Sequence, residues 1–250
     1  MGVSTEIAWC DHTFNPWWGC TRVSPGCQNC YAEAFAKRTG HDVWGKATGR
    51  RVFGDRHWNE PRRWNAKAET EGIRRRVFCA SMADVFEDHP DLEEPRERLF
   101  DLILQTPALD WLLLTKRPEN IAAMLPDPDC PPANVWLGTT VEDQDHAHAR
   151  IPTLLDAGYA ATCLFLSCEP LLGPVDLTPW FDSGIDWVIV GGESGPRHRP
   201  FDPEWAIDIR DQCEAFGVPF FFKQHGGRTP KAGGDLLDGD RYYQFPREAA

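Results

Sequence analysis

The stretch Asp110-Trp-Leu-Leu-Leu-Thr-Lys-Arg-Pro118 sets the pattern for the chain. A short, unbroken apolar run ends in polar and cationic residues, and a proline then opens a helical segment over Pro118 to Met124. Runs without polar alternation are strands buried on both faces, which is the condition of a parallel sheet covered by helices. The pattern recurs on both sides. Arg76-Val-Phe-Cys-Ala80, Asn134-Val-Trp-Leu-Gly138, Cys163-Leu-Phe-Leu-Ser167, Asp186-Trp-Val-Ile-Val190 and Val218-Pro-Phe-Phe-Phe222 read as strands. Helices are expected over Leu92 to Gln105, Asp143 to Asp156 and Pro203 to Phe216. Ile7-Ala-Trp9 is expected as a short first strand.

The sum is six or seven βα units over about 220 residues, too few for a comfortable eight-stranded barrel and enough for a partial, open one. A doubly wound sheet is the alternative. The 250 residues are read as one domain, 1–250, with a Gly- and Arg-rich insertion without clear period at 37–76 and an irregular tail at 226–250.

Bulk properties narrow the class. Hydrophobic residues make up 42% and charged residues 26%, as in ordinary globular proteins. No apolar run approaches the ~18 residues of a membrane span, and the amino terminus lacks the basic start and apolar core of a signal peptide. The expected location is therefore the cytoplasm. The net charge of −12 disfavours nonspecific nucleic-acid binding by the whole surface. The charge is uneven, however: Lys37 to Arg76 holds twelve Lys or Arg against five Asp or Glu, with Trp44, Trp58, Trp64, His41 and His57 among them. Cations interleaved with flat rings suit a nucleic acid or nucleotide. An arginine-rich insertion whose tryptophans pack on the core is the competing reading.

Polar residues follow nearly every strand: Ser81 and Asp84; Thr115, Lys116 and Arg117; Thr139, Thr140 and Glu142; Ser167, Cys168 and Glu169; Gly191, Gly192, Glu193 and Ser194; Lys223, Gln224 and His225. In parallel α/β folds these carboxyl ends form the ligand-binding rim. The segment Cys20-Thr-Arg-Val-Ser-Pro-Gly-Cys27-Gln-Asn-Cys30 follows the first expected strand, and its Ser-Pro-Gly bend brings the thiols toward one another on that rim. Three readings stand for Cys20, Cys27 and Cys30. They hold three irons of a [4Fe-4S] cluster and leave one iron open, they bind structural zinc with Cys10 or His12 as fourth ligand, or they are unliganded buried thiols.

The run Asn15-Pro-Trp-Trp-Gly-Cys-Thr-Arg-Val-Ser-Pro-Gly-Cys-Gln-Asn-Cys-Tyr-Ala32 resembles the start of a phage- and prophage-associated family with a three-cysteine motif and unassigned function. Ser81-Met-Ala-Asp-Val-Phe86, Leu113-Leu-Thr-Lys-Arg-Pro118, Trp136-Leu-Gly-Thr-Thr-Val-Glu142, Leu166-Ser-Cys-Glu-Pro-Leu-Leu-Gly173, Val190-Gly-Gly-Glu-Ser-Gly195 and Phe221-Phe-Lys-Gln224 extend the resemblance over nearly the whole chain.

That family is similar to the radical S-adenosylmethionine superfamily. The resemblance implies a partial (β/α)6 TIM-like barrel, a [4Fe-4S] cluster on the three cysteines, S-adenosylmethionine on the open iron and an external electron donor. The superfamily's usual spacing is Cys-x3-Cys-x2-Cys, whereas the first gap here is six residues. An aromatic residue usually precedes the last cysteine; here Asn29 does, with Tyr31 on its other side. The Gly191-Gly192-Glu193 run follows a late strand rather than the second.

On this reading Lys116 or Arg117 pairs with the methionine carboxylate, and Ser81 and Asp84 lie near its amine. Thr139 belongs to the cofactor rim, and Glu142 takes a ribose hydroxyl. Glu169, Glu193 and Lys223 face the substrate, and Cys168 returns a hydrogen atom to a product radical. The expected substrate is a nucleic-acid base or nucleotide, as in phage DNA modification, with the protein in the host cytoplasm if phage-encoded. A zinc-stabilised nucleic-acid-binding or partner protein without radical chemistry is the alternative function.

Overall fold

A computed structural model describes residues 5–229 and 231–246. The outermost residues of the expected 1–250 domain and 226–250 tail lie outside that range. Seven parallel strands form one sheet: β1 (His12–Thr13), β4 (Arg75–Cys79), β5 (Leu109–Thr115), β6 (Val135–Thr140), β7 (Cys163–Cys168), β8 (Trp187–Gly191) and β9 (Phe220–Gln224). They lie side by side in the order of the sequence. A doubly wound sheet needs a point where the strand order reverses, and this sheet has none. It curls into a half-barrel, the partial (β/α) barrel expected from the runs.

Between β1 and β4 the chain forms β2 (Trp17–Trp18), α1 (Tyr31–Arg38), β3 (Arg51–Val52), α2 (Asp55–Trp58) and α3 (Glu60–Glu71), with β2 and β3 paired antiparallel. The later helices are α4 (Glu93–Leu104), α5 (Ile121–Met124), α6 (Gln144–Ala157), α7 (Thr178–Phe181) and α8 (Pro203–Phe216). The expected helix at 203–216 forms over those residues, opened by Asp202, whose carboxylate accepts the Glu204 N–H at 3.1 Å, and by Pro203 at its first position.

Two expectations are corrected. Ile7–Trp9 is not a strand. The chain joins the sheet later, where the Asp11 N–H donates to the Arg76 carbonyl at 2.9 Å and the Asp11 carboxylate accepts the Arg76 N–H at 2.8 Å. Trp9 instead plugs the concave side, against Phe78 at 4.6 Å and Trp187 at 6.3 Å between ring centroids. The insertion, expected to lack a clear period, does carry one. Trp58, Pro61, Asn65 and Ala68 are buried at spacings of three and four, a helical face hidden among charges.

Alternation along the strands sorts the two faces. Val77, Trp111, Leu113, Leu137, Leu166, Val188, Val190 and Phe222 point outward into one core with Leu99, Ile103, Ile151, Leu154 and Ile209 of the helices. Phe78, Leu112, Trp136, Phe165, Trp187, Ile189 and Phe221 point inward and, with Trp9, fill the bottom of the half-barrel. Gly138 belongs to the inward set by its position between Trp136 and Thr140. A Cβ there would sit 2.4 Å from the Phe165 ring, so the ring occupies the space a side chain would need.

Gly138→Ala therefore forces Phe165 from its place. The expected cost is about 1–3 kcal/mol, read as a lower urea midpoint, with part of the loss recovered when Phe165→Leu is added. An unchanged midpoint would contradict this packing.

Candidate functional site

The carboxyl ends of the strands surround one cavity of about 180 Å³. Cys20, Cys27 and Cys30 all line it, as do Ser81, Asp84, Lys116, Arg117, Glu169 and Lys223. The structure thus brings nine of the thirteen expected site residues to one place. Thr140 and Ser167, which share the inward alternation, line it too.

The cysteine loop has little regular structure of its own: a single 3-10 turn at Pro25–Cys27 precedes α1. Buried charges hold it. Arg117 donates to Asp84 at 2.7 Å and to the Thr21 carbonyl at 2.6 Å, and its Nη1 lies 3.7 Å from the Cys20 sulfur. Arg50, with a fully buried side chain, forks onto Glu87 with two contacts of 2.9 Å and reaches the Thr21 hydroxyl at 3.1 Å. Glu142 accepts from the Ser24 hydroxyl at 2.5 Å and the Gly26 N–H at 3.1 Å. Glu193 accepts from the Asn29 amide at 3.0 Å and from Arg199 at 2.6 Å. The loop is held at residues 20, 21, 24, 26 and 29.

Four expected site residues do not line the cavity. Thr139 points outward and gives its hydroxyl to the Thr115 carbonyl at 3.0 Å; its neighbour Thr140 takes the inward position. Cys168 also points outward, fully buried in the core under the helices. Glu142 and Glu193 are spent on the cysteine loop. Asp84 does line the cavity, but its carboxylate is engaged by the Thr115 hydroxyl at 2.7 Å, the Phe86 N–H at 3.0 Å and Arg117.

Burial pushes the Cys20 thiol up to about 12, with the Asp84 charge adding to the effect, and burial also raises Cys30. Among the described residues no three His, Cys, Asp or Glu side chains stand gathered around one position. The donor set still speaks for itself. Three soft sulfur donors share the cavity wall, and among the described residues neither a histidine nor a fourth cysteine lines it. The two residues considered as a fourth zinc ligand lie elsewhere. Cys10 sits 3.8 Å from the Ile7 carbonyl in the lower core, and the His12 ring stacks on Trp64 at 4.4 Å.

The basic insertion spends much of its apparent nucleic-acid signal internally. Trp58 is buried, Trp64 covers His12, and the His57 ring stacks on Phe14 at 4.8 Å. Arg74 pairs with Asp110 at 2.5 Å, Arg75 with Glu71 at 2.9 Å, and Arg50 with Glu87. Trp44 alone of its tryptophans lines the cavity. Among the described residues no helix is long and apolar enough to cross a membrane.

Sequence reading passed over Arg50, Glu87 and Asn15. Asn15 is fully buried, and its amide oxygen accepts the Met82 N–H at 2.7 Å while its amide nitrogen donates to the Ser81 hydroxyl at 3.1 Å. No local pattern marks these residues, because each acts on a segment more than thirty positions away. Thr140 and Ser167 did carry a signal, since each continues the inward alternation of its own strand.

The family model described as "Protein of unknown function (DUF5131)" matches residues 4–246, and the chain belongs to that family. A comparison with curated proteins finds no match. Among solved structures, the chain is similar to spore photoproduct lyase. A double mutant with bound AdoMet and dinucleoside spore photoproduct is 12% identical with a TM-score of 0.44, over 80% of this chain and 60% of that one. A tyrosine-to-phenylalanine mutant is 10% identical with a TM-score of 0.47, over 80% and 71%. A cysteine-to-serine mutant is 10% identical with a TM-score of 0.47, over 85% and 74%.

Arg50→Met leaves Glu87 buried beside a single, longer contact to Arg117 at 3.7 Å. The expected loss is about 3–5 kcal/mol, while replacing both partners with Arg50→Met and Glu87→Leu costs less. Urea unfolding of the single and double variants checks this. A single variant as stable as the wild type would remove the clamp from the account.

Proposed function

We propose that this DUF5131 protein is a radical S-adenosylmethionine enzyme acting on a nucleic-acid base or nucleotide, with modification of phage DNA as the setting its family resemblance suggests. One observation carries the reading: among the described residues, three thiols and no fourth cysteine or histidine line the cavity at the carboxyl rim of a partial barrel. That donor set suits a [4Fe-4S] cluster with one iron open to a small ligand.

Cys20, Cys27 and Cys30 would hold three irons. When bound, such a cluster and S-adenosylmethionine supply a 5′-deoxyadenosyl radical after an electron arrives from an external donor. The protein's part is to bind, orient and exclude water. Lys116 is the candidate for the methionine carboxylate. Its ammonium donates to the Thr140 hydroxyl at 3.2 Å and pairs with no carboxylate among the described residues. Arg117, considered beside it, is already committed to Asp84 and the loop. The Ser81 hydroxyl, held by Asn15, remains a candidate for the amine. The wall of inward aromatic and aliphatic residues closes the cavity from below, so a reactive species would be shielded from water on that side.

Glu169 and Lys223 stand where substrate contacts are expected. Cys168 leaves the proposal as a hydrogen-atom donor because it faces the helices. Thr139, Glu142 and Glu193 likewise pass from direct contact to support. The basic segment 37–76 contributes Trp44 to the cavity, and its exposed cations are proposed to meet the phosphates of a nucleotide or strand.

Anaerobic reconstitution should give about four irons and four sulfides per chain, with an EPR signal in the dithionite-reduced protein that changes when S-adenosylmethionine is added. Cys27→Ala should lose the cluster, and Cys168→Ala should keep it. One tightly held zinc without sulfide would overturn the reading. Lys116→Met should keep the iron but weaken S-adenosylmethionine binding roughly tenfold, about 1.4 kcal/mol. Unchanged affinity would free Lys116 from that role.

A further inference from the structure

On the wall built by β7, β8 and β9, the cavity carries an ion pair that the cysteine loop does not use. Lys223 continues the inward alternation of Phe221, and its Nζ lies 2.7 Å from Glu169 Oε1. The Ser167 hydroxyl donates to Glu169 Oε2 at 3.4 Å. All three residues line the cavity, and the two charged side chains are only 13% and 25% exposed. Gly191, across on β8, makes room for them. A Cβ there would fall 2.8 Å from Glu169 Oε1, so any larger residue displaces the carboxylate.

The pair is not saturated by its own contact. An ammonium has three N–H donors, and one suffices for Glu169; each carboxylate oxygen keeps lone-pair capacity beyond its present partner. Among the described residues no other side chain is hydrogen-bonded to either group. A donor and an acceptor therefore stand side by side in a half-buried place. Flat rings share the enclosure: Trp9, Tyr31, Trp44 and Phe78 line the same cavity.

We propose that Glu169 and Lys223, seated by Ser167 and Gly191, read the lactam edge of a nucleobase. The ring N–H donates to Glu169, and the adjacent carbonyl accepts from Lys223. The inference rests on the reading above that the substrate is a base or nucleotide. Uracil, thymine, guanine and hypoxanthine carry this edge. Cytosine exchanges donor and acceptor along the same ring edge: seated as uracil would be, with the C4 side toward Lys223, it sets its amino group against the ammonium and its bare ring nitrogen against the Glu169 carboxylate. The same edge occurs in a free nucleotide and in a nucleic-acid strand.

Uridine 5′-monophosphate and cytidine 5′-monophosphate differ only at this edge, which makes them the decisive probes. Titrations of the anaerobically reconstituted protein, followed by saturation-transfer NMR, should show the uridine nucleotide binding at least tenfold tighter. Its 3-methyl derivative, which lacks the ring N–H, should fall to the level of the cytidine nucleotide. Glu169→Gln and Lys223→Met should erase the ranking, and Lys223→Arg, which keeps a cationic donor, should retain part of it. Urea midpoints confirm that each variant is folded. Single-stranded oligo(dT) and oligo(dC) form a second arm. The same ranking in the strands, at higher affinity, assigns the base to a nucleic acid, and the ranking in mononucleotides alone assigns it to a free nucleotide. Equal binding of the uridine and cytidine nucleotides, no binding by any probe, or a ranking untouched by the variants would overturn the proposal. Iron content and the EPR response to S-adenosylmethionine, measured on the wild type without nucleotide, report the radical reading separately. A full cluster with no ranking removes the edge alone, and a ranking without a cluster removes the radical chemistry alone.

Discussion

Four buried carboxylates hold the cysteine loop against the rim of the half-barrel. Asp84 and Glu87 act through Arg117 and Arg50 on the Cys20–Thr21 end, while Glu142 and Glu193 take Ser24, Gly26 and Asn29 directly. An irregular loop pays a large conformational entropy to be ordered. Hydrogen bonds to charged groups, each worth about 1.5–3 kcal/mol, are a strong noncovalent means of offsetting it without a disulfide or a bound ion. The carboxylates follow three strands, β4, β6 and β8, so the loop's position follows from the curl of the sheet itself. Residues that look like catalytic acids on the rim are thereby used as anchors.

The half-barrel then divides labour by face and by height. Outward residues bind the helices, and low inward residues form an aromatic and aliphatic floor. The upper inward positions and the residues that follow the strands reach the cavity, among them Lys116, Thr140, Ser167, Glu169 and Lys223. The thiols close it from the other side. A site of this shape presents fixed polar groups above a dry floor, which suits chemistry that water would quench.

Much of this was legible in the sequence. Buried parallel strands announce themselves as unbroken apolar runs, and the polar residues behind them mark the rim. The Pro203 start of α8 could be read directly. The same uniform apolarity hides which residue of a run faces in, because both faces are buried. That is why Thr139 was expected where Thr140 stands, and why Cys168 was expected at the cavity. The first strand was misplaced because Trp9 is apolar for a different reason, filling the open side of the half-barrel. α3 was hidden because its buried face is made of Pro61, Asn65 and Ala68, two of them poor hydrophobic markers. The Arg50–Glu87 pair has no signature in one sequence at all, since only the tertiary fold brings position 50 to position 87.

The central claim is that the cysteine cavity supports reductive cleavage of S-adenosylmethionine. The most direct measurement is chromatographic analysis of products after reduced, cluster-loaded protein is incubated anaerobically with S-adenosylmethionine. The account predicts 5′-deoxyadenosine and methionine formed together by the wild type, and neither formed by Cys30→Ala. A protein that carries its full complement of iron and sulfide, is reduced, and yields no 5′-deoxyadenosine would contradict it.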